Sequence, residues 1–143
     1  MDIQETNLKA PGWGISFARP TASAGGLALR TLPPTDNLIV SLHQNIGTPA
    51  RALVKPGEQV LKGQPIGAAP AGDLGAAVHA PTSGTVTEIA LHPVPGRNQV
   101  TCVHIRSDGD DRMWPGYPAH TDPLGLSAEQ LHAAVTEAGV VGL

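Results

Sequence analysis

The sequence predicts a mainly β domain that is followed by a single C-terminal helix. Short apolar runs rich in Val, Leu and Ile are separated by turn residues, and the 143-residue chain has 17 glycines and 14 prolines. Glycine and proline spread between such runs are typical of a turn-dense β fold. The apolar residues change to a helical spacing only near the end of the chain, after residue 126.

Two segments with alternating side chains predict strands. In LIVSL (38–42), every second residue is apolar, as on the buried face of a half-buried strand. In VTCVHIR, Val103 and Ile105 point one way, whereas His104 and Arg106 point the other way. We therefore expect residues 38–107, which include these two strands, to form a compact β-sandwich.

Four residues between the predicted strands are interpreted as structural turn residues: Gly57, Gly63, Pro81 and Gly84. Gly57, Gly63 and Gly84 belong to the pairs Pro-Gly, Lys-Gly and Ser-Gly, which interrupt strands, and Pro81 shortly precedes the last pair. Residues 68–77, AAPAGDLGAA, are predicted to form a loop or a hairpin tip.

A helix is predicted from Ala128 to about Glu137. Ser127 is a suitable N-cap, and Gln130 completes a capping box with it. Gly139 stands where a glycine usually ends a helix. One apolar stripe runs along the helix at i, i+3, i+4 and i+7 and consists of Leu131, Ala134, Val135 and Ala138.

These patterns divide the chain into three parts. Residues 1–36 are interpreted as a partly irregular N-terminal arm, residues 37–110 as the β domain, and residues 111–143 as a connector with the C-terminal helix. The tail after Gly139 is apolar, and we expect residues 140–143 to be frayed or packed against another copy of the chain.

Composition argues against several classes of partner and location. The formal net charge is −3 and the lysines stand only at positions 9, 55 and 62, so a basic face for nucleic acid is not expected. No apolar run approaches the roughly 20 residues of a membrane-spanning helix. The N-terminus lacks the basic start and apolar stretch of a signal peptide, and one cysteine excludes an internal disulfide framework.

No residue of the chain is nominated as catalytic, cofactor-binding or metal-binding. The six histidines are scattered without the spacing of a zinc site, and the acidic SDGDD segment lacks the pattern of an EF-hand. Cys102 is interpreted as a small buried residue, since an iron–sulfur cluster usually needs four thiolates. The purified chain is therefore expected to be colourless.

The turn pattern carries a resemblance to a known fold. The segment VKPGEQVLKGQPIG (54–67) and the segment VHAPTSGTV (78–86) look like two halves of one design, and together they resemble the biotinyl/lipoyl-type barrel-sandwich hybrid. A carrier domain of that type needs a lysine on the hairpin between the halves. GAAPAGDLGAAVH has none, so the carrier function is excluded and the turns serve mainly to shape the fold.

A narrower resemblance covers roughly residues 24–143. LIVSLHQNIGTPARALVKPGEQVLKGQPIG, VHAPTSGTVTEI and the late AGVVGL are similar to the N-terminal domain of the C subunit of the Rnf electron-transport complex. The related domain of the A subunit of the sodium-pumping quinone reductase is an alternative. Two departures stand out: GGLALRTLPP lacks the family's usual His-Pro-Pro stretch and following lysine, and Asn45 replaces a frequent histidine.

The resemblance implies a longer parent subunit, of which this chain is a truncated part. That parent would bind FMN and 4Fe-4S clusters, pass electrons between NADH and ferredoxin, and belong to an ion-translocating complex on the cytoplasmic side of the inner membrane. The chain alone is expected to be a non-catalytic docking or structural domain that contacts other parts of the complex. A stand-alone adaptor domain without an attachment lysine is the other possibility that the resemblance leaves open.

Overall fold

The computed structural model describes residues 35–116 and 122–141, together with Ala28, Leu29 and Leu32. The chain divides into two compact units, Met1–Leu32 and Pro33–Leu143, and the described elements belong to the second. The predicted arm falls almost entirely outside the described residues.

The second unit contains seven strands, a short 3-10 helix and one α-helix within its described residues. In chain order these are β1 (Asn37–Ser41), β2 (Arg51–Ala52), β3 (Gln59–Val60), β4 (Pro65–Ala68), β5 (Val78–His79), β6 (Gly84–Val94), β7 (Arg97–Ser107), the 3-10 helix Pro123–Gly125 and α1 (Ala128–Glu137). The prediction of a mainly β fold with a C-terminal helix is confirmed, and α1 has the predicted bounds.

The strands form two antiparallel sheets. One has the order β1-β7-β6-β3 and the other has the order β2-β4-β5. Apolar side chains from both sheets form one buried core, since alternate residues of each strand point to the same face. The core residues are Val40, Leu42, Ala50, Val54, Val60, Ile66, Val78, Ala80, Val86, Val103 and Ile105.

The turn residues occupy two kinds of position. Gly57 and Gly63 have φ angles of 91° and 81°, in the left-handed region that glycine adopts without steric cost. Pro81 lies in the bend before β6. Gly84 is not a turn residue, contrary to the prediction, because it is the first residue of β6.

Gly84 has a different physical role, which is to allow a close approach of three strands. Its Cα is paired with Val60 of β3 on one side and with Ser107 of β7 on the other. A Cβ atom at this position would overlap the carbonyl oxygen of Arg106. A side chain at position 84 would therefore force β6 and β7 apart.

The bend before Gly84 is tied to the turn after β7 by a polar network. The buried Ser83 hydroxyl donates to Asp108 Oδ1 at 2.6 Å and accepts from the backbone N–H of Arg112 at 2.9 Å. The Arg112 guanidinium donates to Asp108 Oδ2 at 2.7 Å. The Ser83 hydroxyl, then Arg112 and the backbone N–H of Asp110 lower the pKa of Asp108 to about 2.

This network directs the connector along the end of β3. The backbone N–H of Lys62 donates to Arg112 O at 2.9 Å, and the N–H of Trp114 donates to Lys62 O at 2.9 Å. The Lys62 ammonium also pairs with Asp111 at 2.5 Å. These contacts place the Trp114 side chain beside the β domain.

Shortening a valine of the core should destabilise the domain. Val60→Ala and Val86→Ala are each expected to lower the free energy of unfolding by about 1–3 kcal/mol, because both side chains are buried between the sheets. Urea denaturation followed by circular dichroism measures this loss. Leu91→Ala, at a side chain that is mostly exposed, is the control and should change the free energy by less than about 0.5 kcal/mol.

The Asp108 network should make stability depend on pH in the acid range. Since the pKa of Asp108 is about 2 in the folded state and 3.8 ordinarily, the network contributes stability above about pH 4 and loses it as the pH falls toward 2. Asp108→Asn should lower the urea midpoint at neutral pH and flatten its dependence between pH 4 and pH 2. A variant with the same acid slope as the parent chain would contradict this assignment.

Candidate docking site

An apolar groove lies between α1 and the β domain. Its volume is about 260 Å³. One wall is formed by the β domain and the connector, and the other wall by α1 and its ends. The lining residues are Gly63, His79, Trp114, Pro123, Leu126, Leu131, Ala134, Val135, Glu137, Ala138 and Val140.

Both ends of α1 are capped by residues at or next to the helix ends. The Ser127 hydroxyl accepts from the N–H of Gln130 at 3.2 Å, and the Gln130 side chain accepts from the N–H of Ser127 at 2.8 Å. At the other end, Gly139 N–H donates to Thr136 O and Val140 N–H donates to Val135 O. This pair of bonds is the Schellman arrangement, with Gly139 at a φ of 69°.

The apolar stripe of α1 faces the groove but is only partly covered. The side chains of Leu131 and Val135 are 41% and 47% exposed, and α1 has no buried residue. Burying a side chain of this kind is worth about 1.5–3 kcal/mol. The groove is therefore a surface that gains free energy when another apolar group covers it.

The residues after α1 lie against the β domain. A Cβ atom on Gly139 would overlap the carbonyl oxygen of Ala77, and Val141 lines a small depression together with Leu42 and Val78. The backbone just before the tail is thus in close contact with Ala77, and the expectation that residues 140–143 are frayed or packed against another copy of the chain stays a prediction. The side chains of Val140 and Val141 remain 63% and 44% exposed, and residues 142–143 lie outside the described range.

The loop 69–77 joins the antiparallel strands β4 and β5, as the predicted hairpin tip. This is the place where a biotinyl or lipoyl carrier would have its lysine, and Asp73 is the only charged residue there. The loop is held to the chain after β1, since the N–H of Thr48 donates to Leu74 O at 2.5 Å.

The cysteine, histidine and acidic residues that were not nominated as functional show no ligand-binding arrangement in the described part of the chain, but one pair of histidines is in contact. Cys102 is fully buried, and burial raises the pKa of its thiol. In the part of the chain that is described, no three His, Cys, Asp or Glu side chains are grouped as metal ligands. The pair in contact is His92 and His104.

Sequence reasoning missed two features of the groove. Trp114 stands in a segment that reads as an irregular connector, and His79 stands in a two-residue strand. Both line the groove because the Lys62 bridge and the β4–β5 pairing bring them beside α1. The exposed stripe of α1 was the signal that could have indicated an apolar surface here.

The cysteine content of the chain does not fit an iron–sulfur cluster. Cys102 is the only cysteine and is buried, whereas a cluster usually needs four thiolates.

The strand-bearing region is similar in sequence to one known family. Residues 13–110 match the family described as the RnfC barrel sandwich hybrid domain. The chain belongs to this family. The matched region contains the seven strands described above and one side of the groove, and the helix α1 follows it.

Relatives that share one name extend the similarity to most of the chain. The C subunit of the ion-translocating oxidoreductase complex of Pseudomonas aeruginosa is 41% identical over 135 residues, which are 93% of this chain. The same subunits of Serratia proteamaculans and Erwinia tasmaniensis are 36% and 38% identical, each over 91% of this chain. The matched part is only 17%, 18% and 16% of these three relatives, respectively.

The names of these relatives describe one part of a redox complex that moves ions. Helix α1 is neither long nor apolar enough to cross a membrane, and the same is true of every other helix in the described residues. The predicted family and fold class are confirmed by the match over residues 13–110 and by the relatives.

Polar substitution of the exposed tail should leave the β domain intact. Val140→Ser with Val141→Ser is expected to change the unfolding free energy by no more than about 0.5 kcal/mol, because both side chains are largely exposed. Thermal denaturation followed at a strand-sensitive wavelength measures this.

Gly139→Ala is the variant to compare with the two valine substitutions in the tail. It should loosen the end of α1, because position 139 has a positive φ and its Cβ would overlap the Ala77 carbonyl. Hydrogen exchange of α1 should then rise while the core strands stay protected. Global unfolding by the two valine substitutions would show that the tail is part of the core.

Proposed function

We propose that the domain is a docking module within the C subunit of an ion-translocating oxidoreductase complex, and that the groove beside α1 is the docking surface. The family membership supports the kind of complex, and the partly exposed apolar groove supports the surface. Neither catalytic nor cofactor chemistry is assigned to the chain, since its described residues form no constellation for it.

The occupant of the groove is proposed to be another part of the same subunit. The relatives are several times longer than this chain, so most of their polypeptide has no counterpart here. α1 and its tail are the last described elements, and the tail borders both the groove and the β domain. The polypeptide that follows in such a protein would therefore emerge beside the groove.

The activity of the complete protein belongs to the same proposal. We propose that the longer parent passes electrons between NADH and ferredoxin with FMN and 4Fe-4S clusters outside this domain. We also propose that it works at the cytoplasmic side of the inner membrane, bound peripherally to the other subunits. The name of the relatives supports the redox and ion-translocating role.

The docking proposal is tested by making the groove polar in the complete subunit. Leu131→Ser with Val135→Ser should expose α1 to faster hydrogen exchange and weaken the association of a separately expressed domain with the remainder of the subunit. Each lost side chain is worth about 1.5–3 kcal/mol when fully buried, so the dissociation constant should rise about tenfold or more.

Leu91→Ser is the control, because Leu91 is an exposed apolar residue of the β6–β7 hairpin that does not line the groove. It should leave the association unchanged. Unaltered affinity in the double α1 variant, with the domain still folded by circular dichroism, would overturn the assignment of the groove as the docking surface.

A further inference from the structure

Two large apolar residues are almost fully exposed on neighbouring loops of the β domain. Ile46 is 90% exposed in the bend after β1, and Leu74 is 86% exposed in the loop between β4 and β5. Neither residue lines the groove beside α1. The segments 44–48 and 70–75, which carry the two side chains, are called the apolar tip below.

The two loops of the apolar tip meet through their backbones. The N–H of Thr48 donates to Leu74 O, and a Cβ atom on Gly47 would overlap the same carbonyl oxygen. A Cβ atom on Gly75 would overlap the side chain of Ala69. Each loop thus has a glycine where the backbones approach closely. Because the contacts are directly beside the two exposed residues, their side chains belong to one surface.

Hydrogen bonds also fix the loop that carries Ile46. The Arg97 guanidinium donates to Asn45 O at 2.9 Å and lies 3.0 Å from His43 Nδ1. The other ring nitrogen of His43 lies 2.9 Å from Gly47 O. The exposed side chain is therefore presented on an ordered backbone, and such a residue loses less conformational entropy when a partner covers it.

Charges of opposite sign flank the two apolar side chains. Arg97 is exposed and is bonded to the carbonyl group directly before Ile46, whereas the exposed Asp73 directly precedes Leu74. None of the ion pairs found among the described residues involves either charge. A partner of the apolar tip can therefore pair with both charges.

This charge pattern favours a protein surface over a lipid surface. Anionic lipids repel a carboxylate, and the hydrocarbon region offers no cation to pair with it, so Asp73 opposes insertion of Leu74 into a membrane. A protein surface has apolar groups and charges of both signs side by side, as at the core and rim of an interface.

We propose that the apolar tip binds a neighbouring protein subunit of the complex. The partner surface is an apolar patch with a basic group facing Asp73 and an acidic group facing Arg97. Ile46 and Leu74 are the anchors, and the two charges set the orientation. The inference rests on the proposed function, since it takes the domain to be part of a C subunit within a complex. It concerns a surface separate from the groove, which is assigned to the remainder of the same subunit.

The test is binding of the complete C subunit to membranes that contain the other subunits, prepared from cells that lack the C subunit. Co-sedimentation at increasing subunit concentration gives the dissociation constant. Ile46→Ser with Leu74→Ser should raise this constant about tenfold or more, because two apolar side chains are no longer buried on binding. Met113→Ser is the control, because Met113 is an exposed apolar residue beside Lys62, outside both the tip and the groove lining.

Asp73→Lys separates a protein partner from a lipid partner. It should weaken binding to the membranes that contain the other subunits, because a lysine would face the basic group of the partner. On protein-free vesicles of phosphatidylethanolamine and phosphatidylglycerol, the same change would strengthen any binding, since the lysine attracts anionic lipid. Equal affinity of the unaltered subunit for these vesicles and for the membranes would overturn the proposal in favour of a lipid surface.

The remaining outcomes separate the tip from the groove. Circular dichroism should show native strand content in the double serine variant, because both replaced residues are exposed. Unchanged membrane affinity of that folded variant would overturn the role of the tip alone. Absence of binding by the unaltered subunit would overturn the proposed function as well. The tip variant should leave the association of the domain with the remainder of its own subunit unchanged, and weakening of that association would show that the tip contacts its own subunit instead.

Discussion

The contact of three strands at Gly84 is the constraint on which the described structure depends. β6 lies between β3 and β7 at this residue, and the Arg106 carbonyl occupies the space that a Cβ atom would need. Next to it, the Ser83 hydroxyl joins the bend before β6 to the turn after β7. The contact that tolerates only hydrogen lies within the β6–β7 hairpin, and the pairing of Gly84 with Val60 joins this hairpin to β3.

The position of the proposed docking surface follows from the contacts at Gly84 and Ser83. The turn at Asp108 directs the connector onto Lys62, and this bridge places Trp114 opposite α1. The helix then closes the groove from the other side, and its Schellman end brings Gly139 against the β4–β5 loop.

Local chemistry explains the features that sequence patterns predicted correctly. The capping box at Ser127, the glycine end at Gly139 and the left-handed turns at Gly57 and Gly63 each depend on residues only a few positions apart. The incorrect role of Gly84 has the opposite cause. A glycine needed for a close approach to a distant strand has the same appearance in sequence as a glycine needed for a turn.

The sequence by itself therefore determined the β class, the bounds of the helix, the principal turns and the family, because periodicity and short-range hydrogen bonding are written in neighbouring residues. Only the tertiary structure decided that Trp114 faces α1, that Gly139 contacts Ala77, and that His92 meets His104. These arrangements depend on strand register and on contacts between residues far apart in the chain. Such contacts leave no periodic signal, since each partner is set by how the sheets pack.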